Sequence, residues 1–150
     1  MSRPNLTLTT VAILLAVAYV FVFSDWFNVP RIQIIPQTRP IRSGDVNVGV
    51  YPVSFMLERQ VRINSVKVVE AGAYEANKKA PALWHLVSKV GSTPMQGFLY
   101  GDLIAGMTTA RSNELPHALE PKKVYRILIE AGRARGTQDF SAQAINDAGN

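Results

Sequence analysis

The stretch LTLTTVAILLAVAYVFVF, residues 6–23, determines how the rest of the chain is organised. No charged residue lies between Arg3 and Asp25, which leaves 21 uncharged positions between them. A helix rises about 1.5 Å per residue, so this stretch reaches roughly 31 Å, close to the hydrocarbon thickness of a bilayer. The sequence therefore predicts one N-terminal transmembrane α-helix over residues 6–27, after a short tail at 1–5.

A cleaved signal peptide is the main alternative interpretation of this stretch. Ala16-Val17-Ala18 has the small-x-small form of a cleavage site, and Arg3 supplies a minimal positive region before it. The apolar run nevertheless continues to Phe23, where a cleavage region should turn polar. For the orientation of the helix, the count of flanking basic residues slightly favours a cytoplasmic C-terminal domain. Long domains nevertheless cross the membrane largely regardless of charge. We therefore expect a retained, single-pass anchor with a cytoplasmic N-terminus and a periplasmic or extracytoplasmic C-terminal domain.

Two groups of residues in the predicted span are candidates for contacts within the membrane. Thr9, Ala12 and Ala16 lie on nearly one helix face, and small residues at this spacing let another helix approach closely. Because alanine is common in any membrane helix, a passive tether stays the alternative. Trp26 and Phe27 come where the helix should leave the hydrocarbon, which predicts an interfacial anchor. No cofactor is predicted, apart from lipid or pigment contacts with the helix.

Charge and composition narrow the classes of partner. The net charge is +5, yet the basic residues are spread out and form no run typical of a nucleic-acid-binding arm. The expected partners are the lipid bilayer and other integral-membrane subunits, and not nucleic acid. Arg31, Arg39 and Arg42 fall in an extended juxtamembrane linker predicted over residues 28–45, where they can contact headgroups or an acidic partner. Cysteine is absent, which excludes disulfides and thiolate metal sites.

The rest of the chain has the pattern of a β domain over residues 46–142. About seven short runs alternate between apolar and polar residues and are separated by turn signals. The clearest run places Tyr125, Ile127 and Ile129 on one face. With no long amphipathic helix beyond the span, the pattern predicts a mainly β fold in which two sheets bury one face each. A flexible tail is expected over 143–150.

A family resemblance supports this prediction. Leu119-Glu120-Pro121 followed by Tyr125 resembles the entry to the penultimate strand of fibronectin type III domains, where a tyrosine hydroxyl ties down a leucine-x-proline corner. Trp84 has the position of the core tryptophan between the sheets. The resemblance covers about 82–142. This stretch also resembles small sandwich domains of bacterial envelope proteins. It implies an immunoglobulin/fibronectin-III-like β-sandwich and no particular activity.

The residues that usually carry chemistry form no recognisable catalytic or metal-binding pattern. His85 and His117 are far apart and match no zinc motif, and the carboxylates are scattered. Glycine-rich phosphate loops and a nucleophile elbow are missing as well. We expect a protein that is not an enzyme, in which His85 is a partly buried, hydrogen-bonded structural histidine.

Two predicted loops, at 71–81 and 108–116, are better candidates for binding. Apolar and basic residues in or beside such loops can form a partner surface. Phe98 and Tyr100, between these loops, are expected in the core. The candidate loop contacts are Tyr74, Lys78, Lys79, Met107 and Arg111, of which the last two are expected to be the most exposed.

These features favour a non-catalytic accessory or structural subunit of a larger bacterial membrane protein complex. Its helix would dock among other helices and its sandwich would brace extrinsic parts. A photosynthetic reaction-centre and light-harvesting assembly is one specific candidate, and respiratory or secretion complexes are equally allowed. The alternative is a membrane-anchored ligand- or protein-binding module of the cell envelope.

Overall fold

The structure is a computed structural model that describes residues 3–23, 29–39, 50–112 and 114–145. Its elements follow one another as α1 (Arg3–Phe23), β1 (Ile34–Thr38), β2 (Val53–Val61), β3 (Ser65–Glu70), α2 (Ala71–Ala76), β4 (Trp84–Val87), β5 (Met95–Leu99), β6 (Thr108–Thr109), β7 (Val124–Ala131) and β8 (Ala134–Ser141). The fold beyond α1 is mainly β, as the alternation of apolar and polar residues predicts.

The described residues beyond α1 form two antiparallel sheets. One has three strands in the order β1-β2-β5, and the other has five in the order β6-β4-β3-β7-β8. Aromatic side chains join them: the ring of Phe55 on β2 lies 4.9 Å from that of Phe140 on β8. Trp84 on β4 lies 6.1 Å from Phe98 on β5. The sheets therefore bury a common core, which confirms the sandwich-like arrangement at this coarse level.

β7 shows why the alternation is informative. Tyr125, Ile127 and Ile129 are all buried, while Arg126 and Leu128 between them are only partly covered. The strand pairs with β3 on one side and β8 on the other. Burial of one face fixes the register of both pairings, because a shift by one residue would move the buried side chains to the solvent face.

β1 corrects the prediction of an extended linker over residues 28–45. Ile32 and Ile34 are buried in the core, and β1 pairs with β2 along its length. The sequence has a short strand-like run over 31–35, but Pro36, which cannot donate a ladder hydrogen bond, favours an extended connection after it. β1 is an edge strand of its sheet, the position where proline is tolerated. The folded domain thus includes residues well before position 46, and residues 40–49 lie outside the described part.

Two short elements fall in the predicted loops. The stretch 71–81, expected to be a loop, begins with α2, and Ala71 of this helix is buried. Alanine favours helix, but a six-residue helix is too short to show an apolar period. The other loop contains β6, which adds two residues to the sheet edge beside β4.

The last hairpin and the C-terminal residues also depart from expectation. The sequence predicts a turn at 132–136 and a last strand over 137–142. β8 begins three residues earlier, at Ala134, because Gly132 adopts φ 60° and allows a tight turn after β7. The predicted tail begins with residues that are held: Gln143 accepts a backbone hydrogen bond from Tyr51 at 3.0 Å. The Tyr51 hydroxyl donates to the carbonyl of Ile145 at 3.3 Å. Residues 146–150 lie outside the described part.

The segment before β1 closes one side of the sandwich. The Arg135 amide of β8 donates to the Pro30 carbonyl at 3.0 Å, and the Ile32 amide donates to the Arg135 carbonyl at 2.9 Å. Gly136 allows this approach, since a Cβ there would lie 2.7 Å from the Ile32 carbonyl oxygen. The two sheets are therefore joined through backbone hydrogen bonds at this corner.

The corner after residue 118 contains the hydrogen bond that the resemblance implies. The backbone amide of Glu120 donates to the Tyr125 hydroxyl at 2.8 Å, and Leu119 is buried. Trp84 is 3% exposed between the sheets. These contacts are present, while membership of the fibronectin type III family stays a prediction.

Replacing Tyr125 by phenylalanine should lower the free energy of unfolding by about 1–3 kcal/mol, because a partly buried amide loses its acceptor. Urea unfolding followed by circular dichroism measures this change. Tyr100→Phe is the matched control: the Tyr100 hydroxyl donates to the exposed His117 carbonyl, which water can satisfy. Equal losses for the two variants would contradict a special role for the Tyr125 hydroxyl.

Candidate functional site

Exposed apolar side chains occur on every side of α1 between Val11 and Phe23. All described side chains from Thr7 to Phe23 are exposed. The bulky apolar ones range from 48% exposed at Val17 to 76% at Leu8 and Val22. A helix with one apolar stripe packs on a core, whereas a helix that is apolar all round belongs in an apolar environment.

The predicted contact residues of the helix are exposed as well. Thr9, Ala12 and Ala16 all lie on α1, and Ala16 borders a shallow apolar hollow of about 400 Å³ beside Phe21. Within the described ranges, neither helix combines the length and the apolarity needed to cross a bilayer. Trp26 and Phe27, the predicted interfacial anchor, lie outside the described residues.

The predicted basic contacts next to the domain are fixed by their backbones. Arg31 is exposed and forms a backbone bridge to Arg135 of β8. Arg39 is exposed, and its amide donates to the Pro52 carbonyl at 2.9 Å. Arg42 lies outside the described residues. Headgroup contact by these arginines stays a prediction.

Met107 corrects a prediction, because it is buried in the core rather than exposed. Gly106 before it adopts φ 85°, and the Met107 amide donates to the Ile104 carbonyl at 3.0 Å. This tight turn directs the side chain inward although its sequence neighbours are polar. Phe98 and Tyr100, expected in the core, are partly buried and pack against it.

Tyr74 and Lys78 are brought together at the end of α2. The Lys78 ammonium lies 4.4 Å from the centre of the Tyr74 ring, a cation–π distance. Arg126 also approaches this ring and is bound by Asp139 at 2.6 and 2.9 Å and by Glu75 at 2.9 Å. The hydrogen bonds from Arg126 lower the pKa of Asp139. Tyr74 and Lys78 are thus parts of a polar network on the sheet surface.

Lys79 and Arg111, the other two predicted loop contacts, border a common cleft of about 320 Å³. We call it the Lys67 cleft, since Lys67 lies in its floor. Lys67 on β3 is directly opposite His85 on β4 in the register of the sheet. The remaining lining residues are Ala80, Pro81, Ala82, Ala110 and Glu114.

The electrostatics of the Lys67 cleft are dominated by positive charge. Burial lowers the pKa of His85, and the nearby Lys67 lowers it further, so the imidazole is neutral near pH 7. Its Nε2 atom lies 3.4 Å from the Ser65 hydroxyl, in agreement with the expected partly buried, hydrogen-bonded histidine. Among the described residues of the lining, Glu114 is the single carboxylate, and it lies 3.8 Å from the Arg111 guanidinium.

Lys67 and His85 were not identified as site residues from the sequence. Each lies on the outward face of a strand whose alternate residues are buried, as Val66 and Trp84 illustrate. The outward face of a strand can be recognised from alternation. The pairing of these two strands, and the arrival of Lys79 and Arg111 from separate loops, depends on the whole fold.

A second cavity of about 320 Å³ lies at one end of the sandwich, lined in part by Tyr51, Tyr100, Asp102 and His117. The Tyr100 hydroxyl donates to the His117 carbonyl at 2.7 Å, and burial raises the pKa of Tyr100. Val50, at the start of a described range, also lines this cavity. In the described part of the chain, no three acidic or histidine side chains form a group suited to a metal ion.

Comparison with known proteins gives no match: no family model fits the chain, no curated protein is significantly similar to it, and no solved structure matches it.

Proposed function

We propose that the chain is a membrane-anchored, non-catalytic accessory subunit of a larger membrane protein complex. α1 lies in the bilayer, and the β domain stands on the extracytoplasmic side and braces extrinsic parts. The observation that carries this proposal is the run of exposed, mostly apolar side chains on α1 from Leu8 to Phe23. Water is a poor environment for such a surface, whereas lipid and neighbouring membrane helices cover it on all sides.

The length of the segment fits this proposal once the adjoining sequence is included. The seventeen residues from Thr7 to Phe23 rise about 25 Å, short of the roughly 30 Å hydrocarbon core. The sequence adds Leu6 before them and continues to Trp26 and Phe27 after them. A helix over 6–27 would rise about 33 Å, enough for a span.

The finer assignment of the fold belongs to the same proposal. An immunoglobulin/fibronectin-III-like sandwich is supported by the hydrogen bond between Glu120 and Tyr125 and by the packing of Trp84 against Phe98. Such domains commonly present surfaces to other proteins, and the fold by itself implies no reaction.

Enlarging the small-residue face of α1 tests the accessory role. The double substitution Ala12→Leu and Ala16→Leu should abolish co-migration of the intact chain with a stoichiometric partner, because the added side chains separate two packed helices. The measurement is native electrophoresis and mass spectrometry after mild-detergent extraction. Ala18→Leu is the matched control, since it lies about 200° around the helix from Ala16. Unchanged co-migration of the double variant would show that α1 is only a passive tether.

A membrane-anchored binding module is the second candidate, and the Lys67 cleft favours it. This cleft offers two lysines and an arginine beside a neutral imidazole. In that case the chain extracted in mild detergent is a lone monomer, and a ligand for the cleft replaces a protein partner as the functional contact.

A further inference from the structure

The Lys67 cleft has a charge pattern that the fold itself does not explain. Its lining holds three cations, Lys67, Lys79 and Arg111, against one carboxylate, Glu114. In the described part of the chain, neither lysine has a carboxylate oxygen within 4.0 Å. Two lysines thus line a concave space without an ion-pair partner of their own, and Glu114 is paired with Arg111. Like charges held close together cost free energy unless an anion joins them.

The geometry of the donors narrows the kind of anion. Lys67 reaches the cleft from β3 and His85 from β4, while Lys79 follows α2 and Arg111 follows β6. Donors from four segments surround a ligand rather than lie along one edge of it. Lysine acts as a point charge and arginine as a planar fork, and together they suit the several oxygens of a phosphate. A planar carboxylate offers only two oxygens to these four groups.

His85 completes the site as a neutral partner. Burial and the neighbouring Lys67 both lower its pKa, so it adds a ring N–H or a lone pair without adding charge. Ser65 lies 3.4 Å from its Nε2 atom and holds the ring from the adjoining strand.

We propose that the Lys67 cleft binds a phosphate group, held by Lys67, Lys79 and Arg111 with His85 at its floor. The phosphate belongs either to a lipid headgroup or to a soluble phosphate ester. This inference does not depend on the membrane location of α1, because the cleft lies wholly within the β domain.

Selective protection of lysines tests the proposal. The intact chain is placed in micelles of a neutral detergent and treated with an amine-acetylating reagent, and mass spectrometry gives the labelling rate of each lysine. Millimolar inorganic phosphate should slow the labelling of Lys67 and Lys79 saturably, while chloride at equal ionic strength should not. Lys123, which is bound by Glu120 at 2.9 Å and does not line the cleft, is the internal reference.

A matched pair of arginine variants locates the effect. Arg111→Gln should weaken phosphate affinity by about tenfold, the loss expected for one charge-assisted hydrogen bond. Arg59→Gln, at an arginine on β2 of the other sheet, should leave affinity unchanged. Equal effects of the two variants, or equal slowing of Lys123, would show general screening and overturn the proposal.

The source of the phosphate is decided with lipid nanodiscs. Protection of Lys67 in discs containing phosphatidic acid, and not in pure phosphatidylcholine discs, identifies a headgroup ligand. Protection that requires added soluble phosphate in both discs identifies a soluble ester. Protection by polyglutamate but not by phosphate overturns the proposal in favour of an acidic protein partner.

Discussion

Replacing Leu14 by arginine is expected to release the intact chain from the membrane fraction. Leu14 lies near the middle of residues 6–23, and its side chain is exposed on α1. A charged arginine at the centre of a membrane helix costs about 2.5–3.5 kcal/mol on insertion scales, and the favourable contribution of leucine is lost as well. The insertion equilibrium should therefore fall by about a hundredfold or more. Alkaline carbonate extraction followed by immunoblotting measures the partition.

Leu115→Arg provides the matched control for this experiment. Leu115 is also an exposed leucine, but it lies in the β domain. The same chemical change there should leave the chain in the pellet with the unmodified protein. Release of the unmodified chain by carbonate would refute a membrane-spanning α1. An intact mass that lacks residues 1–18 would instead identify a cleaved signal peptide.

Replacing Trp84 by alanine should remove about 3–5 kcal/mol from the free energy of unfolding, the usual cost of truncating a buried aromatic residue. Trp84 is 3% exposed and contacts Phe98 and Tyr100 of the opposing side, with ring centres 6.1 and 5.3 Å apart. Because small domains have only about 5–15 kcal/mol of stability, this single change should consume a large share of it.

Urea unfolding of the intact chain in neutral detergent, followed by far-ultraviolet circular dichroism, measures the loss. Dichroism is preferable to fluorescence, because Trp84→Ala removes one of the two tryptophans in the sequence and so changes the fluorescence signal itself. Val90→Ala is the control, since Val90 is 85% exposed and its truncation should change stability by less than about 0.5 kcal/mol. A loss below about 1 kcal/mol for Trp84→Ala would mean that the indole does not join the sheets.

The parts of the fold that sequence reasoning predicted are those in which one strand has a single buried face. β7 is recognisable because Tyr125, Ile127 and Ile129 alternate with more polar positions. Only the start of β1 is recognisable, as a strand-like run over 31–35, because Pro36 and the flanking arginines have the composition of a linker, although the edge of a sheet accepts both. α2 is too short for an apolar period to develop.

The candidate site was less predictable because contacts distant in sequence create it. Lys79 and Arg111 could be selected as basic loop residues, but nothing local indicates that they share a cleft. Lys67 and His85 become neighbours only through the register between β3 and β4. Met107 is predicted to be exposed because its neighbours are polar, but it is buried. Its burial depends on the turn that the positive φ of Gly106 allows.

The backbone hydrogen bonds of Pro30 and Ile32 to Arg135 fix the point at which the chain joins the β domain. They therefore limit the length of the tether between α1 and the domain. Seven peptide steps separate Phe23 from Pro30, and even fully extended they cover no more than about 25 Å. With α1 in a bilayer, the β8 edge therefore stays within about 25 Å of the end of the helix. A tether this short gives the domain an effective concentration in the millimolar range for molecules held in the same layer above the membrane. Weak contacts made there would suffice for assembly, while a partner beyond that layer is out of reach.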